Sequence, residues 1–289
     1  MSTVRTIYRG GSRFYVHPEQ REIIYPGVTS VIGMLPKPFL QHWSSKLTAE
    51  LAVDSADYIV TMAERDRDGA IQYLSGAARR YTKTRADVGS KAHDLFERMM
   101  RGEGRLTERD AKGRFVVRVA PDLEPYRAHF AEFLAAVNPE LVRAEDVAWS
   151  DEHVYAGSFD VIMYVWADDD GKPTPDRSGT RHLIIGDWKT SKSTYPDVAL
   201  QLSAYANADY IIAPDGTIEP MPQFDGAAVL HITDDQWAFK PVEIGEPVFA
   251  EFLRLRGTFE WDRDLSRRVI GKPVASSGQL VTGTQRRAQ

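Results

Sequence analysis

The sequence contains no cysteine, which excludes disulfides, thiolate metal sites and cysteine-held iron–sulfur clusters together. It has no run of about 18 apolar residues, so no transmembrane helix is predicted. Its opening stretch, MSTVRTIYRGGSRFYV, lacks the apolar centre of a signal peptide, and the expectation is an intracellular protein. An excess of basic charge is missing too: 36 Lys and Arg stand against 41 Asp and Glu, a net −5. That balance argues against a globally basic nucleic-acid binder, but it allows a local basic path, because metal-binding carboxylates themselves push the total towards the acid side. There is no internal repeat and no G-x-x-x-x-G-K-[ST] phosphate-binding loop.

What is present suits a soluble globular chain with a real core: 289 residues, 43% apolar and 27% charged. Residues 1–27 read as short strand-like pieces around Thr6–Tyr8, Arg13–Val16 and Ile23–Tyr25, broken by Gly-Gly and closed by Pro26-Gly27. Val28-Thr29-Ser30-Val31-Ile32 follows, either a helix entry capped by Thr29 or Ser30 or a segment beside a ligand path. Three-to-four spacing of apolar residues predicts helix from Phe39 to Ala63, from Ala70 to Tyr81 and from Asp87 to Arg101. Arg79, Arg80, Lys83 and Arg85, interleaved with Tyr73 and Tyr81, suit a surface that tracks a nucleic-acid strand, or else a solvated helical face diluted by Asp66, Asp68 and Asp87. Residues 102–120 read as a charged loop. Pro121 to Val137 reads as an amphipathic helix ended by Asn138-Pro139, and Leu141 to Trp149 as one strand holding Glu145.

His153 to Trp166 and Arg181 to Trp188 then form a hairpin-like pair around the polar loop ADDDGKPTPDRSG, whose acidic triplet Asp168–Asp170 is a solvated turn. The second of these strands is apolar enough to lie centrally in a sheet. Gly226 to Ile232 and Trp237 to Val242 read as a further strand pair, and Glu246 to Trp261 as a closing helix. A polar tail follows from about Leu265, with Arg286 and Arg287 as a possible tether to DNA or a partner. The predicted class is α/β, a mixed central sheet flanked by helices. Its parts would be an N-terminal helical arch (1–86), a core (87–264) and the tail (265–289).

The chemistry concentrates in RHLIIGDWKTSKSTYPDVALQLSAY, residues 181–205. Strand side chains alternate faces, so Asp187 and Lys189 point to the same side. Gln201 and Tyr205 are one helical turn apart and share a face of the helix that follows. Asp160 opens another strand-like segment after Gly157-Ser158. Two carboxylates side by side suit a hard divalent cation, which takes oxygen ligands and keeps several waters.

This set of residues resembles the PD-(D/E)xK nuclease superfamily, in particular its RecB-like exonuclease branch. The motifs are Val28-Thr29-Ser30, Val88-Gly89-Ser90-Lys91-Ala92-His93, Phe159-Asp160, Asp187-Trp188-Lys189 and Gln201…Tyr205. The closest type is that of the stand-alone exonucleases of bacteriophages and of mitochondrial genome maintenance. The resemblance covers roughly Val88 to Tyr210, with a weaker echo at Val28-Thr29-Ser30-Val31-Ile32. It departs from the superfamily name in placing Phe159 before Asp160, and the missing cysteines exclude the iron–sulfur subtype.

The resemblance implies a metal-dependent DNA exonuclease on a restriction-endonuclease-like α/β core. One or two Mg²⁺ or Mn²⁺ ions would be held by His93, Asp160, Asp187 and the main-chain carbonyl of Trp188, the imidazole favouring Mn²⁺. Lys189 would position or deprotonate the attacking water, or stabilise charge on the phosphate, with Gln201 and Tyr205 holding it in place. Ser30, Arg79, Arg80, Lys83 and Arg85 would contact DNA. Glu145 stands where such enzymes often carry an acid near the site; a salt bridge is an equal reading. The implied substrate is DNA with free ends, in the cytoplasm of a bacterial or phage-infected cell, in recombination, repair or replication. A helicase or annealing protein would be a separate chain. The alternatives are a structure-specific or restriction-like endonuclease on the same core, and an inert DNA-binding subunit.

Overall fold

The computed structural model describes residues 4–102, 119–275 and 277. It opens with β1 (Arg5–Arg9), β2 (Ser12–Val16) and β3 (Ile24–Pro26), an antiparallel sheet of their own. Gly10 and Gly11 make the β1–β2 turn with φ of +55° and +78°, a conformation that side chains with a Cβ resist. Next come α1 (Val28–Ile32), α2 (Phe39–Asp54), α3 (Ala56–Arg65), α4 (Arg67–Ser75) and α5 (Ala77–Met100). The Phe39–Ala63 pattern is thus two helices broken at Ser55, and the Ala70–Tyr81 pattern is split at Gly76, which caps α4. Beyond Gly76 nothing interrupts the helical ladder, so the basic residues and His93 lie on one continuous α5, which runs through residues 86 and 87. The cap of α1 is Gly27, not Thr29 or Ser30.

After α6 (Glu124–Val137), ended by Asn138 in the left-handed region, come β4 (Glu140–Ala144), β5 (Val147–Ser150), β6 (Tyr155–Ser158), β7 (Val161–Ala167) and β8 (Thr180–Lys189). The chain closes with α7 (Asp197–Ala206), β9 (Tyr210–Ile212), β10 (Ile218–Pro220), β11 (Gly226–Ile232), β12 (Trp237–Val242) and α8 (Glu246–Arg263). The central sheet has the order β12-β11-β8-β7-β4. β8 lies in its middle, antiparallel to β7 and parallel to β11. A parallel pair cannot be closed by a tight turn, and the β8–β11 connection carries α7 as its crossover. The protein is therefore mixed α/β, with a five-stranded mixed sheet.

Alternation along β8 gives the sheet its two faces. Ile185 packs towards α1, α7 and α8 among Val28, Leu202 and Phe252; Ile184 and Trp188 pack towards α5 and α6 among Phe96, Phe130 and Phe133. A third apolar cluster, around Tyr15, Tyr25 and Trp149, joins the N-terminal sheet to a four-stranded sheet of order β10-β9-β5-β6.

Sequence periodicity joins Leu141 to Trp149 into one strand. The structure breaks it at Glu145, whose φ is +60°. Before the break the chain is β4 in the central sheet, and after it β5 in the four-stranded sheet. The partner strand bends at the same level, from β6 to β7. Ala144 pairs with Val161 below the bend and Val147 with Ser158 above it. Between these pairs Glu145 donates its N–H to the Asp160 carbonyl (3.2 Å), and Phe159 donates to Asp146 (3.1 Å). One antiparallel ribbon thus passes from one sheet into the other, with Glu145 facing Asp160 at the bend.

The charged stretch 102–120 lies mostly outside the described residues, as does the Arg286–Arg287 pair. Residues 265–267 form a short 3-10 turn after α8. Among the described residues no helix is long and apolar enough to cross a membrane.

Candidate active site

Asp160 sits where three strand ends meet. On one side it faces Glu145 at the ribbon bend. On the other, the β7–β8 ladder has Val161 opposite Gly186, so Asp160 and Asp187 are the next residues along their strands. The Trp188 N–H, which has no β7 residue left to pair with, donates to Asp160 Oδ2 at 2.7 Å. From α5, His93 places Nδ1 3.5 Å from Asp160 Oδ1. Its ring meets the buried Trp188 indole edge-on, and Phe96 and Phe130 pack against the same indole.

Asp187 and Lys189 point to the α7 face, as alternation requires. Lys189 Nζ lies 2.6 Å from Asp187 Oδ2, an ion pair in which no hydrogen bond is well aimed at that oxygen. Gln201 ties the pair together: its Nε2 donates to Asp187 Oδ1 at 2.9 Å, and its Oε1 accepts from Lys189 at 3.2 Å. Nε2 also reaches the Tyr205 hydroxyl at 3.4 Å, one turn further along α7. Tyr205 is buried, and it presses on Gly157, where a Cβ would lie 2.7 Å from the ring. His93, Glu145, Asp160, Asp187, Lys189, Gln201 and Tyr205 line one cleft of about 600 Å³, together with Arg13, Thr29, Gly89, Ser90 and Glu97.

The pocket holds more acid than its cations neutralise. Burial, and then the charge of Asp160, push Glu145 up to about 7. Burial and the same neighbour also raise Asp187, against the pull of Lys189. Burial works to raise Asp160 as well, but His93, Lys189 and the Trp188 N–H outweigh it and hold that carboxyl below its usual range. Burial disfavours the charged form of His93, yet Asp160 overrides it, and the imidazole is raised. Two carboxyls forced upwards beside a third that stays ionised mark a place where a divalent cation relieves repulsion.

The donor atoms fit such an ion. One ligand atom each from His93, Glu145 and Asp160 lies within 4.8 Å of the others. One imidazole and two carboxylates make a nitrogen–oxygen set that could hold a divalent metal ion. Asp187 borders this group, but its oxygens are engaged by Gln201 and Lys189. Trp188 contributes its N–H to Asp160, and its side chain is buried on the opposite face of β8. Glu145, ambiguous in sequence, thus belongs with the ligand candidates. Its signal in the sequence was its place in the resemblance, where such enzymes often carry an acid near the site.

No protein-family model matches the chain, and no curated protein matches it.

The basic residues are placed unevenly. All four of Arg79, Arg80, Lys83 and Arg85 are exposed on α5. Helical spacing puts Arg79 and Lys83 on the stripe of Ala86, Ser90 and His93 that faces the cleft. Arg80 is turned towards α4, donating to the Tyr73 carbonyl at 2.7 Å and lying over the Tyr73 ring. Arg85 lies over Tyr81 and lines a neighbouring cavity. Ser30 Oγ accepts from the Arg13 N–H (2.9 Å) and donates to the Arg13 carbonyl (3.3 Å), so its hydroxyl is spent joining α1 to β2. Arg13 itself, which nothing in the sequence singled out, lines the cleft.

Proposed function

We propose that this chain is a metal-dependent deoxyribonuclease of the RecB-like branch of the PD-(D/E)xK nucleases, an exonuclease acting on linear DNA in recombination, repair or replication. The observation that carries the reading is the convergence, in one cleft, of the Asp187–Lys189–Gln201 triad and the His93–Glu145–Asp160 ligand candidates. They come from α5, the β4–β5 bend, the start of β7, the end of β8 and α7, and the sequence order matches the motif order of that family.

A Mg²⁺ or Mn²⁺ held by His93, Glu145 and Asp160, with Asp187 beside it, would supply an activated water and a Lewis acid for a phosphodiester. Lys189, fixed between Asp187 and Gln201, offers a cation to the charge that develops on the phosphate. Gln201 holds both partners in register through its two ends, and Tyr205 buttresses Gln201. Arg13, Arg79 and Lys83 give the flanking phosphates a cationic route to the cleft, which the net charge of −5 does not preclude.

The test is a digest of end-labelled linear and covalently closed circular DNA, single- and double-stranded, with Mg²⁺, Mn²⁺ or chelator. Metal-dependent loss of linear substrate alone supports the exonuclease. Cutting of circles would move the assignment to an endonuclease on the same core, and DNA binding without cleavage in any metal to an inert binding subunit.

A further inference from the structure

Beside the catalytic cleft lies a second cavity, of about 570 Å³, with a different character. Its aromatic walls are Phe39 and Trp43 of α2, Tyr81 of α5 and Tyr195 of the β8–α7 loop; Arg85 and Lys192 line it as well. Phe39 and Tyr195 stack with their rings 14° from parallel, and each leaves half its surface exposed. Trp43 meets Tyr81 edge-on, and the Arg85 guanidinium sits 5.8 Å above the Tyr81 ring.

The two cavities are neighbours. Ala86 and Gly89 line both. Lys189 lines the cleft and Thr190, the next residue, lines the aromatic cavity. Gly89 and Thr190 nearly touch between them: a Cβ on Gly89 would stand 3.2 Å from Thr190 Oγ1. Whatever enters the cleft therefore meets the aromatic cavity one residue away.

We infer that this cavity is a stacking subsite for unpaired nucleobases, which receives the bases adjoining the phosphate held in the cleft, so that the substrate engages as a single strand. Exposed rings with two cations among them match a nucleotide's two faces, a flat π-surface and an anionic phosphate. A base inside a duplex has both faces covered by its neighbours, so only an unstacked base can use these rings. A cavity of this volume is of small-ligand size and does not admit a double helix. The inference rests on the nuclease reading for what the cleft holds, while the stacking itself needs no metal.

The probe is a fluorescein-labelled dT oligonucleotide and a matched oligomer of abasic sites, titrated by anisotropy in chelator so that nothing is cut. The unaltered protein is expected to bind the dT oligomer at least about fivefold more tightly, the lower end of base stacking on one ring. Phe39→Ala with Tyr195→Ala should bring dT affinity down to the abasic level and leave abasic binding unchanged. Equal affinities in the unaltered protein, or a dT preference that survives a folded double variant, would overturn the subsite. A photo-crosslink from a 5-iodouracil oligonucleotide to the unaltered protein does not depend on the variant folding. Adducts on Phe39, Trp43, Tyr81 or Tyr195 support the proposal; adducts only elsewhere refute it and leave the cavity to an apolar peptide. Base-dependent binding without cleavage in any metal would sink the nuclease reading and leave the subsite standing. Cleavage without base dependence would do the reverse.

Discussion

The Trp188 N–H donates to the Asp160 carboxylate across 2.7 Å, taking up the first backbone donor of β8 beyond the end of β7. A single carboxylate thereby closes the ladder and belongs to the His93–Glu145–Asp160 group that could hold a metal ion. Asp160→Asn keeps an oxygen acceptor for that N–H and removes a charge. It is expected to fold, and to bind Mn²⁺ at least about tenfold more weakly by calorimetry, since losing even an outer-shell partner of a metal ligand costs about 10–100-fold. Asp160→Ala also orphans the buried N–H, and chemical denaturation should show a further loss of about 1–3 kcal/mol.

Asp187→Asn and Lys189→Ala are expected to abolish cleavage. Each should melt within a few degrees of the unaltered protein, since each removes one member of a pair whose other member still has Gln201 as partner. Retained activity in either purified variant would sink the site assignment.

Gln201 touches both members of that pair but lies outside the His93–Glu145–Asp160 group. Gln201→Ala should therefore cost about 10–100-fold in kcat and change Mn²⁺ affinity much less, because it frees Lys189 and Asp187 without removing a ligand. Single-turnover rates and a metal titration on the same variant separate the two effects.

Glu145 sets a pH dependence of known sign. Its carboxyl is raised from 4.5 to about 7 in the folded chain. The metal-free fold therefore binds this proton more tightly than the unfolded chain does. The stabilisation is complete below about 4.5 and is lost as pH rises through about 7, and amounts to roughly 3 kcal/mol at most. Denaturation in chelator should show lower stability at pH 8 than at pH 5.5, and Glu145→Gln should reduce that difference, the remainder coming from Asp187 and His93, which are raised as well. Added Mn²⁺ should compete with the same proton, so its apparent affinity should fall as pH drops below 7.

Gly89 lies where α5 passes the end of β8, and a Cβ there would stand 3.2 Å from Thr190 Oγ1. Gly89→Ala should be nearly neutral, because a shift of a few tenths of an ångström accommodates it. Gly89→Leu should push α5 off β8, carrying His93 with it. Overpacking of this kind typically costs about 1–3 kcal/mol, read by thermal melting, with a parallel loss of metal affinity.

The sequence by itself determined whatever depends on near neighbours. Two-residue alternation put Asp187 and Lys189 on one face of β8, and four-residue spacing put Gln201 and Tyr205 on one face of α7. The apolar run before Asp187 marked the central strand. These rest on the fixed geometry of strand and helix, which any local window reports. The tertiary structure decided the rest. The left-handed turn at Glu145 is rare for a residue with a side chain, and no local pattern announces it. It exists because the ribbon must pass between two sheets, and those sheets are fixed by strands far apart in the chain, among them the unpredicted β9 and β10. The Glu145–Asp160 and Asp160–Asp187 neighbourhoods follow from inter-strand register, which long-range packing sets. Arg13 reached the cleft in the same way, carried by an N-terminal hairpin whose sequence shows only that it is one.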